Sequence, residues 1–110
     1  MTNKDEKARR KQMLHAVRED TRQKVRASFP VLVPMLKALF NYVESQLDSG
    51  ECDHTLRHAR DFIHSRGLPA EAVVRWLESN GGYCDCEVLM NVEQAVEEAV
   101  PGYKDLAPAE

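Results

Sequence analysis

Residues 83–100 read YCDCEVLMNVEQAVEEAV, and the fold turns on whether this stretch is strand or helix. Tyr83 to Val92 is apolar with few breakers, as a buried strand would be. Leu89, Val92, Val96 and Ala99, however, recur at helical spacing, and Gln94 to Ala99 favours helix. A lone strand would also have no partner within the chain. The pattern predicts a helix from about Asp85 to Val100, stopped by Pro101-Gly102.

Working outward, the rest of the chain has the same character. Asn80-Gly81-Gly82 is a strong helix stop, because glycine tolerates the left-handed conformation that closes a helix. Before it, Pro69 opens a helix with Val73, Trp76 and Leu77 inward. A further helix runs to about Arg66, with Leu56, Ala59, Phe62 and Ile63 as its inner face and Asp53 or Thr55 as its cap. Pro34 suits the first turn of a helix to about Leu47, where Leu36, Leu39, Phe40, Val43 and Leu47 share one face. Residues 4–28 contain neither Gly nor Pro, and their apolar stripe is thin: Met13, Leu14, Val17 and Val25, with Thr21 filling the gap. The expected fold is mainly α, a small helical domain of four to five helices. Residues 1–28 form a charged, basic N-terminal helix, 29–100 the helical core and 101–110 a loose tail. The inward positions, Leu89 and Val92 among them, are the expected core.

The 110 residues amount to one domain with a modest core, for which a zinc ion is a candidate staple. The apolar run Val31–Leu36 is interrupted by Pro34 and far too short to span a bilayer. The charged N-terminus lacks an apolar signal segment, which gives a cytoplasmic expectation. The net charge of −3 is unevenly placed. Residues 1–28 hold nine Lys/Arg against four Asp/Glu, leaving about −8 on the remainder. Two such segments can dock on each other, or the basic arm can meet an acidic partner.

Chemistry concentrates in two short clusters, Cys52-Asp53-His54 and Cys84-Asp85-Cys86. Together they contain every cysteine of the chain, three in all, an odd number that argues against a disulfide framework. Each cluster leads into a helix, and a helical hairpin separates them. Zinc takes four Cys or His ligands in a tetrahedron. Cys52, His54, Cys84 and Cys86 supply such a set with no open position, which is the pattern of a structural site. One residue between ligands is a weaker signal than the two of a usual zinc knuckle. The alternative is that Cys52 and Cys84 are small buried hydrophobes and Cys86 a free thiol. A helix start favours thiolates, and Glu51, Asp53, Asp85 and Glu87 would attract a cation or hydrogen-bond the His54 ring. His58, one turn after His54, could replace a ligand, but a surface histidine capping or pairing with Asp61 is the preferred reading. His15 and His64 read as solvated, and Trp76 as core.

The segments Cys52-Asp53-His54-Thr55-Leu56-Arg57, Trp76-Leu77-Glu78 and Gly81-Gly82-Tyr83-Cys84-Asp85-Cys86-Glu87-Val88-Leu89-Met90-Asn91-Val92-Glu93 resemble a family of small bacterial proteins of unknown function. The resemblance spans about residues 35–93 and implies a bacterial, intracellular protein with no activity to carry over.

Three functional readings compete. The leading one is a non-enzymatic, zinc-binding adaptor or regulatory protein that acts through contacts with a protein partner. The second is a thiol-redox protein or metal-dependent enzyme using Cys84 and Cys86, which depressed thiol pKa values would support. The third is a nucleic-acid binder through residues 7–26. It is the weakest, because the net charge is negative and no aromatic residues interleave with the Lys7–Lys11 run. No nucleophile–base pair or phosphate loop stands out.

Overall fold

Proline and glycine punctuation sets the helices. A computed structural model describes residues 19–48 and 50–110. Its helices are α1 (19–27), α2 (Val33–Asp48), α3 (Arg57–Ser65) and α4 (Ala70–Ser79), followed by a longer α5. The last of these runs on through Asp85–Glu87, Val88–Val92 and Glu93–Ala99, and a 3₁₀ turn, Tyr103–Asp105, follows it. No strand occurs among the described residues, and helix begins at Asp85, after a bend at Tyr83 and Cys84, as the later periodicity requires. Residues 4–18 of the expected N-terminal helix, with Met13, Leu14, His15, Val17 and the Lys7–Lys11 run, lie outside the described residues.

The middle of α5 is a π segment, Val88–Val92, in which the amide of Glu93 bonds back to the carbonyl of Val88. The wider turn shifts the buried face. Val88, Val92 and Val96 are fully buried, while Leu89, expected in the core, is only half-buried. Leu47, at the end of the α2 face, is likewise only half-buried, and the remaining inward positions named from periodicity are buried. Leu36, Leu39, Phe40, Val43, Val73 and Leu77 are at most 1% exposed. Burying each stabilises the fold by roughly 1.5–3 kcal/mol before entropy is counted.

The turn between α4 and α5 explains the paired glycines. Gly81 has φ +86°. Its amide bonds to the Glu78 carbonyl at 3.0 Å, and the Gly82 amide to the Leu77 carbonyl at 2.8 Å. These two bonds are the Schellman closure of a helix. Gly82 is there for space: a Cβ on it would lie 2.7 Å from Val92 Cγ2 and 3.2 Å from Val88 Cγ2. Asn91 Nδ2 donates to the Gly81 carbonyl at 2.9 Å and fastens the turn to α5.

Residues on both sides of the α2–α5 core meet it. Arg26 of α1 donates to the carbonyl of Ala99 at 2.7 Å, placing a guanidinium at the carbonyl end of α5. Phe29 meets Trp76 edge to face, with centroids 5.6 Å apart. Within residues 101–110, expected as a loose tail and largely exposed, Tyr103, Lys104, Ala109 and Glu110 bond to α2 and the end of α3. Tyr103 is buried, Ala109 N–H donates to the Pro34 carbonyl at 2.8 Å, and Arg66 donates to the Glu110 carbonyl. Lys37 donates to the carbonyls of Tyr103 and Lys104 and stands 4.9 Å from the Tyr103 ring centroid. No helix among the described residues is long and apolar enough to cross a membrane.

Candidate metal centre

The first ligand loop is shaped by Asp53. Its Oδ1 accepts from the backbone N–H of Thr55 at 3.0 Å and from the Thr55 hydroxyl, closing a local turn. Inside that turn His54 adopts φ +67°, a left-handed conformation uncommon for a residue with a side chain. The backbone N–H of His54 donates to Cys52 Sγ at 3.4 Å. The second loop enters α5 through Cys84, whose extended backbone (φ −146°, ψ 170°) precedes the first turn.

Asp85 joins the two loops. α3 begins after Leu56, which offers no capping side chain. Its second and third amides, of His58 and Ala59, donate to Asp85 Oδ2 at 2.9 Å and Oδ1 at 3.0 Å. These are the amides a helix cap ordinarily satisfies, here reached from 27 residues further along the chain. The Asp85 amide in turn donates to the Thr55 carbonyl at 3.0 Å. The expected caps Asp53 and Thr55 therefore bond to each other, and α3 is capped from α5. Asp85 is 1% exposed. Nothing in the local sequence signals this role, since a carboxylate between two cysteines reads equally well as a neighbour of a metal.

The loops bring the ligating atoms of Cys52, His54 and Cys84 within 4.8 Å of one another, a group that could hold a metal ion. Donors around tetrahedral zinc are about 3.5–3.8 Å apart, so modest contraction would complete such a site. Cys86 is not in this mutually close set, but it is near enough to Cys52 for its amide and thiol to lower the proton affinity of that residue. All three cysteines are free thiols, with Cys84 buried and the other two half-buried.

The thiols differ in proton affinity. Burial pushes Cys52 up, but the amides of Cys86 and His54 and the neighbouring thiols outweigh it and hold Cys52 below the ordinary thiol value. Burial raises Cys84, and proximity to Cys52 adds to that. The hydrogen bond to Cys52, burial and the nearby negative groups raise Cys86 to about 11. The depressed values that would mark Cys84 and Cys86 as nucleophiles are thus absent. The helix start does not prevail over burial and like-charged neighbours.

The expected surface pairing of His58 also gives way. The residue is buried, and Arg57 Nη2 lies 3.1 Å from its Nε2. His58 is outside the mutually close ligand group. His64 is exposed.

Fold and site together define a small, mainly helical protein carrying a Cys-His-Cys group that could hold a metal. The chain belongs to the family described as "Protein of unknown function (DUF2695)", whose model matches residues 39–91. That span contains both ligand loops and the α4–α5 turn. An uncharacterised protein of Mycobacterium bovis is 38% identical over 93 residues, covering 84% of this chain and 94% of the relative. An uncharacterised protein of Mycobacterium tuberculosis matches with the same identity and coverage. No solved structure matches.

Proposed function

We propose that the chain is a zinc-binding, non-enzymatic adaptor or regulatory protein, with Cys52, His54, Cys84 and Cys86 as the ligands of a structural site. The observation that carries this is the approach of Cys52, His54 and Cys84 donors within 4.8 Å of one another from two separate loops. Cys86, two residues after Cys84 at the start of α5 and near enough to Cys52 to lower its proton affinity, supplies the fourth donor. Sulfur-rich donors with one imidazole suit zinc better than the oxygen-seeking cations. Several thiols held close together resist joint ionisation, and a divalent cation relieves that repulsion by displacing their protons. The ligands close the coordination shell, which favours a role in holding the two loops together rather than in activating a water.

Elemental analysis of protein purified with reduced thiols should find about one zinc per chain. Metal that binds only the folded state stabilises it by mass action. Cys52→Ser and Cys84→Ser should each lower the melting temperature clearly, whereas His58→Ala should not impair zinc binding. A chelator should reproduce the cysteine phenotype in the parent and add little in the variants. Absence of metal, or equal melting temperatures for the parent and Cys84→Ser, would overturn the structural-zinc reading and leave thiol chemistry as the reading to pursue.

A further inference from the structure

Asp85 stands between two of the four ligands, yet its carboxylate is committed to α3. Two amides of that helix donate to it, and its own amide donates to the Thr55 carbonyl. These three bonds tie the second ligand loop to the chain just after the first without using a ligand side chain. Asp53, at the equivalent place in the first loop, behaves differently: it is exposed and bonds within its own loop. One carboxylate shapes a loop, and the other sets the two loops against each other.

We infer that Asp85 is the positioning residue of the metal site, holding the Cys84–Cys86 loop in register with the Cys52–His54 loop before any metal arrives. The inference rests on the zinc reading above. Without such a tie, metal binding would have to fix the two loops against each other itself, at an entropic cost that weakens affinity. Two amide bonds to a carboxyl group that is 1% exposed, and so shielded from competition by water, reduce that cost in advance. The expectation is a chain that folds without metal and exchanges it on a preformed site.

The test compares the parent, Asp85→Asn and Val73→Ala. Val73→Ala weakens the core in α4 at a residue that belongs to neither loop. Zinc affinity is measured by chelator competition, and site geometry by the absorption bands of the cobalt(II)-substituted protein. Asp85→Asn should bind zinc about 10- to 100-fold more weakly, with broadened cobalt bands. Val73→Ala should keep the parent's affinity and spectrum despite its own fall in melting temperature. Where Asp85→Asn does not fold without metal, Asp85→Glu serves instead, keeping the charge but displacing the carboxyl, with the same weakening expected. If the parent binds zinc and the folded Asp85 variant matches it in affinity and spectrum, Asp85 is a helix cap alone and the inference fails. If the parent binds no zinc, the metal reading itself fails, and the positioning role with it.

Discussion

Two acids on α5 show how differently one helix treats a carboxylate. Asp85, at its start, is buried and takes two amides from the beginning of α3. Glu93, farther along, receives the Tyr103 hydroxyl at 3.3 Å. Burial raises the Glu93 pKa, and the charges of Glu97 and Glu44 add to the rise. Tyr103 and Lys37 offset this only in part. Tyr103 is itself raised, by burial and by Glu93, so its hydroxyl keeps the proton it donates. What matters is the number and orientation of donors that meet a buried charge, more than burial itself. Asp85 meets a helix start and serves the architecture. Glu93 meets one phenol and three other charges and is left under strain.

Replacing Asp85 is therefore expected to have the largest effect. Asp85→Ala leaves two helix-start amides without their acceptor and should cost about 2–4 kcal/mol, judged from the loss of charge-assisted bonds and of a helix cap. Chemical denaturation in the presence of a chelator measures this apart from any metal. A loss under 1 kcal/mol would mean that water replaces the carboxylate and that the two acids are not so different.

Gly82→Ala probes the turn that delivers the Cys84 loop. Its Cβ would meet Val92 Cγ2 at 2.7 Å and the Leu77 carbonyl at 3.1 Å. Neither neighbour is the far end of a flexible chain, so the helices must separate slightly, at about 1–3 kcal/mol. An unchanged denaturation midpoint would show that the α4–α5 crossing is looser than the contacts indicate.

The helices were legible in the sequence because their stops are chemical: Pro34, Pro69 and Gly81-Gly82 end or open elements by backbone constraint alone. The inward faces followed from spacing. Leu89 departed because a π turn widens α5 locally, and one added residue per turn has no signature in a 3.6-residue pattern. The convergence of Cys52, His54 and Cys84 was legible from ligand chemistry, since donors clustered at the ends of a helical hairpin can meet. The capping of α3 by Asp85 was not. It joins residues 26 and 27 positions apart, and the nearby Asp53 and Thr55 offered a local answer that physics did not take. The placement of residues 101–110 was equally hidden, because it depends on backbone carbonyls meeting Lys37 and Arg66.

Glu93→Gln should have the smallest effect and the opposite sign. A carboxyl whose folded pKa is raised above its unfolded value of about 4.3–4.5 binds its proton more tightly in the folded chain. Below that unfolded value both states are protonated, and the residue contributes no penalty from ionisation. As pH climbs through the folded pKa, the unfolded state gives up the proton more readily, and folding stability falls. Glutamine stays neutral throughout and can still accept the Tyr103 hydroxyl. The variant should therefore match the parent near pH 4 and melt a few degrees higher at pH 7, a gain of roughly 0.5–1 kcal/mol at most given that Glu93 is partly solvated. Protonation of the cysteine–histidine cluster affects both proteins alike and cancels in the difference. A variant less stable than the parent at pH 7 would mean that the Lys37 charge and the Tyr103 bond outweigh burial. Glu93 would then be an acid the fold relies on in its ionised form.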